Sequence, residues 1–246
     1  RATQGLYDNT RFSRYAHEVG PTAIVTSPRP GEGWSNAEWV SFTNGSDGQV
    51  WFEPLRLVVP WKHSGLQAKV WLGLKTGAGD MARYANEQWF FTPGGVAFQA
   101  IGAGFSARMS RFTGIFGNMG RSVFHRQPAL VLCLMNSAMA REVMSSLNPG
   151  VHFEVGDVNR LPLFPIDNAD DIYAAIEHAF TLHESHRETS AEFRHPGPSP
   201  WRQAQAWAQL AVDRPAGTPL PPEIPELDSP PAIDHVSYAL GVALGR

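Results

Sequence analysis

Between Gln88 and Phe124 phenylalanine and glycine alternate at short spacing, from Phe90, Phe91, Gly94 and Gly95 through Phe112, Gly114, Phe116 and Gly117 to Gly120 and Phe124. Each glycine costs a helix interior about 1 kcal/mol relative to alanine, so a helix tolerates this stretch poorly. Short strands joined by tight turns suit the same residues, because aromatic rings cover a pleated surface and glycine supplies turn conformations. The stretch predicts a small, irregular β-rich unit. Ahead of it, "EWVSFTNG" and "QVWFEPLRLVVPW" are β-branched and aromatic runs separated by the turn-forming "NGSDG", which predicts a hairpin.

The texture changes at Pro128. Proline fits a first helical turn, and "ALVLCLMNSAMAREVMSSL" sets Leu130, Leu134, Ala138 and Val143 on one stripe before "NPG" stops it, which predicts one helix over 128–147. An extended segment ending in prolines follows. A second helix starts after Asn168 as N-cap, with Ile172, Ile176, Phe180 and His183 on its apolar face, and reaches about Phe193. "WRQAQAWAQLAV" forms one short helix, and seven prolines between Pro215 and Pro231 predict a linker. The expected fold class is α+β, organised as an amino-terminal segment and hairpin (1–61), a basic β-rich core (62–127), supporting helices (128–194), and a Pro-rich linker that opens a C-terminal helical region (195–246).

With 246 residues, 43% of them apolar, the chain can bury a sizeable core, which excludes a disordered tail. One cysteine, Cys133, permits no internal disulfide, so a reducing cytoplasm is the expected compartment. No apolar run reaches the roughly 18 residues that span a bilayer, and no signal pattern opens the chain, so no membrane partner is expected. The first residue is Arg1 and the last stretch, "HVSYALGVALGR", ends inside an apolar pattern, which suggests a piece of a larger protein.

The formal net charge of -3 averages two regions of opposite sign. From Arg56 to Arg126 nine lysines and arginines face two acids, whereas from Gln127 onward seven arginines face fifteen acids. Such a split suits a polyanion-binding face on an acidic support. Arginine supplies 17 of the 20 cations, and its planar fork matches phosphates and guanine edges.

Several sites of other chemistry are tempting and fail on spacing. In "GLKTGAGD" Lys75 precedes the second glycine, whereas a phosphate-cradling loop places its lysine after it. "AIGAGF" reads as a turn. His183 and His186 have zinc-like spacing without a third ligand, so they read as a solvated face, and Cys133 reads as a small buried hydrophobe. No GxSxG, HExxH, paired CxxC or [DNS]PP[YFW] motif occurs, so no catalytic residue and no metal ligand is assigned.

Two segments carry a resemblance. The positions Met135-Asn136-Ser137, Leu147-Asn148-Pro149, Phe153, Val155-Gly156-Asp157 and Leu161-Pro162 resemble the stretch that closes the target-recognition region of large adenine-specific DNA methyltransferases of phage defence, the PglX/BrxX enzymes of BREX and their class 1 DISARM relatives. Gly5, Leu6, Asp8, Asn9, Arg11, Phe12, Arg14, Glu18 and Val19 resemble the segment that opens that region, with a loop about two residues shorter, and Val236 to Arg246 is similar to a later element. The resemblance implies a DNA target-recognition fragment whose catalytic domain and S-adenosylmethionine site lie outside this piece. It implies double-stranded DNA, the catalytic domain of the same parent and other defence-complex subunits as partners.

On that reading the DNA contacts are Lys62, Lys69, Lys75, Arg83, Arg108, Arg111, Arg121 and Arg126, with Asn86, Gln88 and Gln99 as base readers. Asn9, Arg11, Phe12 and Arg14 would form the interface with the catalytic domain. Loss of Arg108 or Arg111 is then expected to weaken DNA binding and leave the melting transition unchanged. Two alternatives stand beside it: the specificity module of a fused restriction and modification enzyme, and a non-catalytic protein-interaction module.

Overall fold

The computed structural model describes residues 9–45, 48–76, 89–117 and 119–245. The architecture is α+β, with two small mixed sheets. After the short helix α1 (Asn9–Phe12), the first sheet has the order β1 (Arg14–Tyr15), β4 (Leu57–Pro60), β2 (Trp39–Thr43), β7 (Gly114–Phe116). The second has the order β3 (Trp51–Glu53), β6 (Ala107–Ser110), β5 (Val96–Phe98), β8 (Ser122–Val123). Within each sheet one contact is parallel, β2 with β7 and β3 with β6.

The expected hairpin does not form. β2 pairs antiparallel with β4, Val40 opposite Val59, while β3 between them leaves for the other sheet. The chain changes sheet five times along β1 to β8, and the changes from β2 to β3 and from β6 to β7 link strands that are paired neighbours in the two sheets, β2 with β7 and β3 with β6. The reason is burial: Val40, Phe42, Trp51, Phe52, Val58 and Val59 are all sealed from solvent, and one two-stranded ribbon has too little interior for them. Two glycines of the Gly-Phe stretch serve close approach rather than turns. A Cβ on Gly114 would lie 2.2 Å from the carbonyl oxygen of Ser41, and one on Gly120 would lie 2.2 Å from that of Thr43. The backbone around β7 therefore packs against β2 at a distance only glycine permits.

Helices cover both sheets. α2 (Lys62–Thr76) interrupts the block expected to be β-rich; its first turn is kinked, with His63, Ser64 and Gly65 at positive φ. α2 packs Ala68 with Trp61, Phe90, Phe42 and Ile115 in the core of the first sheet. The second sheet packs on α3 (Pro128–Asn136), α4 (Ala138–Leu147), α6 (Ala169–His186) and α7 (Trp201–Asp213), joined by the short α5 (Val155–Val158). The helix expected over 128–147 breaks at Ser137, whose extended backbone ends α3 and whose Oγ accepts from the Ala140 N–H to cap α4. Ile172, Ile176 and Phe180 form the buried stripe of α6, as their spacing predicts, but the helix stops at His186 rather than near Phe193. Buried Glu184 is the cause. Arg187 and the Ser190 hydroxyl turn back onto its carboxylate, and that return draws the chain out of helical conformation.

The Pro-rich stretch is a strap on the body. Trp207 Nε1 donates to the Pro221 carbonyl at 2.9 Å, Leu220 and Ile224 pack on the core, and Ser199 bridges Asp228. α8 (Ala232–Ala243) follows it. Cys133 is fully buried, and burial pushes its thiol up to about 12, so it is inert as a nucleophile.

The residues that carry the family resemblance are joints of this fold. The Asn136 amide exchanges hydrogen bonds with both the N–H and the carbonyl of Ala107, at 2.9 and 3.0 Å, tying the end of α3 to β6. Asn148 donates to the His152 carbonyl and to Asp157, which also accepts the Glu154 N–H and caps α5. Those hydrogen bonds hold the Asp157 carboxyl below its usual range.

Candidate nucleic-acid interface

The arginines of the basic block divide into those spent inside the fold and those left at the surface. Arg108 is 1% exposed. From β6 its Nε meets Glu53 Oε2 of β3 at 2.8 Å and its Nη2 donates to the Asn44 carbonyl at 2.5 Å, so it clamps the crossing between the two sheets. Burial pushes the Glu53 carboxyl up to about 7, with Arg108 pulling the other way. Arg111 pairs with Glu192, donates to Thr181 Oγ1 at 2.6 Å and lies 5.2 Å from the centre of the Phe180 ring. Arg121 pairs with Glu154 at 2.6 Å and donates to the Phe153 carbonyl at 2.9 Å. Burial takes Arg108 away from the expected DNA contacts, because a cation in the interior needs an anion beside it. Arg111 and Arg121 are partly exposed, and their ion pairs link the β unit to segments beyond it.

Gln99 is turned on its own loop, with Nε2 donating to the Ile101 carbonyl and Oε1 accepting from Ser106. Phe12, expected at a domain interface, is instead buried in the core of the first sheet. Arg83, Asn86 and Gln88, together with the side chains of Lys75 and Asn9, lie outside the described residues.

What the fold does gather is a set of cations on and against α2. Lys62 is exposed at its start. Lys69, partly exposed, holds its ammonium 5.5 Å from the centre of the Trp61 ring. Arg11 of α1 lies over the ring of Trp71, 4.1 Å from its centre, a position that keeps a cation at the surface while it covers an aromatic face. The Trp71 indole N–H below it is buried without a hydrogen-bond partner among the described residues. Arg14, also exposed, donates to the Ser13 and Arg11 carbonyls. Arg126 is exposed after β8, on the other sheet from this group. Sequence reasoning missed the pairing of Arg11 with Trp71, since sixty residues separate them and no spacing links them.

Fold and site together define an α+β protein with a cation-bearing surface helix. Among the described residues no helix is long and apolar enough to cross a membrane, and no group of three metal-binding side chains is found. No protein-family model matches the chain. It is similar to the adenine-specific methyltransferase PglX of Lacticaseibacillus casei (strain Zhang), with 28% identity over 160 residues, covering 63% of this chain and 13% of that enzyme. That similarity supports a methyltransferase-related role.

Proposed function

We propose that the chain is the DNA target-recognition region of an adenine-specific methyltransferase, with the catalytic domain elsewhere in the parent polypeptide. The observation that carries this reading is that α2 bears Lys62 and Lys69 and has Arg11 against its Trp71, joined to the likeness to PglX. The catalytic domain would extrude the adenine and transfer the methyl group of S-adenosylmethionine to its exocyclic amine. This chain's part is to hold register on the phosphates of double-stranded DNA, with Arg11, Lys62, Lys69 and Arg126 as the cations that can reach them. Binding by such contacts depends on salt: the logarithm of affinity falls with that of salt by about 0.9 per neutralised phosphate. The expected result is retention of a mixed-sequence duplex that weakens with salt, and a Lys62→Glu/Lys69→Glu variant with a slope shallower by about two phosphates. A duplex affinity indifferent to salt would refute the reading.

A second reading, a protein-interaction module, draws on α8. Ile233, Val236 and Leu240 are exposed there at helical spacing, and the helix touches the body through Tyr238 on Phe193 and Ser237 on Glu188. On the first reading the same stripe is where the catalytic domain or another defence-complex subunit would sit.

A further inference from the structure

The chain holds one Asn-Gly pair, at Asn44 and Gly45. It stands where β2 ends and the chain leaves for β3 in the other sheet, and both residues are partly exposed to water. Asparagine is thermolabile because its side-chain carbonyl can be attacked by the nitrogen of the peptide bond that follows it. The attack requires that this nitrogen be unbonded, uncrowded and able to lose its proton. The surroundings of Asn44 meet all three conditions.

Among the described residues the Gly45 N–H donates no hydrogen bond and the Asn44 side-chain amide makes none. That amide lies over Gly117, where an added Cβ would come 2.8 Å from Asn44 Oδ1, so it occupies space that only glycine leaves open. Gly45 itself has no side chain to crowd the approach. Arg108 meets the third condition. Its Nη2 donates to the Asn44 carbonyl at 2.5 Å, and that carbonyl belongs to the same peptide bond as the Gly45 nitrogen. When the nitrogen loses its proton, the negative charge spreads onto that oxygen, where the guanidinium stabilises it. Arg56 donates to the next carbonyl, that of Gly45, at 3.0 Å and holds the turn in place.

Elsewhere the conditions fail. The N–H groups that follow Asn36, Asn136 and Asn159 are bonded to main-chain carbonyls, and Asn148 is followed by proline, which has no N–H. The Asn168 amide is held at both ends, by Asp171 and by Arg214.

We infer that Asn44 and Gly45 form a self-modification site, at which the Gly45 nitrogen attacks Asn44 Cγ and the asparagine becomes aspartate and isoaspartate. The nitrogen gives up its proton, Nδ2 leaves as ammonia, and a cyclic imide closes. Water then adds to one of the two imide carbonyls, and the C–N bond there breaks. Opening at Cγ yields aspartate. Opening at the main-chain carbon yields isoaspartate, with the main chain now running through Cγ. No oxidant or reductant takes part. Either product puts a carboxylate on the residue whose carbonyl Arg108 holds, beside the pair that Arg108 makes with Glu53, and isoaspartate also lengthens the main chain at the crossing. The inference does not depend on DNA binding.

The test is peptide mapping by mass spectrometry of the folded 246-residue chain, incubated for weeks in mildly alkaline buffer made with heavy-oxygen water. A mixture of aspartate and isoaspartate at position 44 is expected, with heavy oxygen in the new carboxyl group. A synthetic peptide from Ser41 to Gly48 is the reference for the unfolded loop, and the folded chain should convert at least as fast, because Arg108 assists only in the fold. Gly45→Ala is expected to slow conversion by about tenfold or more, since a methyl group then crowds the attacking nitrogen. Gly45 is not among the glycines at positive φ in the described residues, so alanine fits its backbone and the variant should keep the wild-type melting temperature. Conversion slower in the folded chain than in the peptide, conversion spread evenly over the asparagines, or a Gly45→Ala variant that converts at the wild-type rate would each overturn the site.

Discussion

Replacing Arg108 separates two readings of the basic block. A surface contact to DNA, once lost, costs binding and leaves folding alone. The structure predicts the reverse, because Arg108→Met would leave the Glu53 carboxylate buried opposite a thioether, with the Asn44 carbonyl losing its donor. Removing one member of a buried ion pair typically costs about 3–5 kcal/mol. For a chain of this size about 2–4 °C of melting temperature accompanies each kcal/mol, so a fall on the order of 10 °C is expected. The deficit has a definite pH dependence. Glu53 has its pKa raised in the folded state, up to about 7 with Arg108 present, so the stability tied to its proton is complete below the unfolded carboxyl value and is lost as pH rises through the folded one. Without the cation the carboxyl rises further, and the variant should be closer to wild type at pH 6 than at pH 8.5. Adding Glu53→Gln should recover part of the loss at high pH, since a neutral amide needs no counter-charge. Thermal melts followed by circular dichroism across that range, with duplex retention measured on the folded fraction, are the assay. A melt within about 2 °C of wild type at pH 8.5 together with lost DNA retention would show that Arg108 works at the surface and that the clamp is wrong.

Two further perturbations test other joints of the fold. Asn136→Ala removes the amide that bonds both polar groups of the Ala107 peptide, and buried groups left unpaired cost about 1–3 kcal/mol each, so urea denaturation should show a midpoint well below that of wild type; an unchanged midpoint would mean that water replaces the amide. Burial lowers the pKa of His183 below that of a free imidazole, against the opposing pull of Glu184, so the folded state favours the neutral ring. That stability is complete above the unfolded histidine value near 6.5 and declines as pH falls through it toward the folded one. His183→Gln should therefore lose less stability than wild type between pH 7 and pH 5, and parallel curves would remove His183 from the account.

Much of the second half was legible along the chain, because a helix declares itself in local period. Ile172, Ile176 and Phe180 lie on one stripe by spacing alone, and their burial follows once any apolar partner exists. The break at Ser137 was not visible, since the apolar pattern runs through it and only the hydrogen bonds of Asn136 and Ser137 decide it. The hairpin expectation failed for a related reason. Local runs identify strands, but pairing is decided by which sheet has room for the side chains, and β3 found its partner more than fifty residues away on β6.

The sequence by itself determined the α+β composition, the stripe of α6, the short strands of the Gly-Phe stretch and the set of cations from which a polyanion surface could be drawn. Tertiary structure alone decided which of those cations remain available. An arginine near acidic residues in space is spent on them whatever its neighbours in sequence, and the partners of Arg108, Arg111 and Arg121 lie 55, 81 and 33 residues away. Charge attraction acts through distance in the folded molecule, and along the chain that distance has no signature.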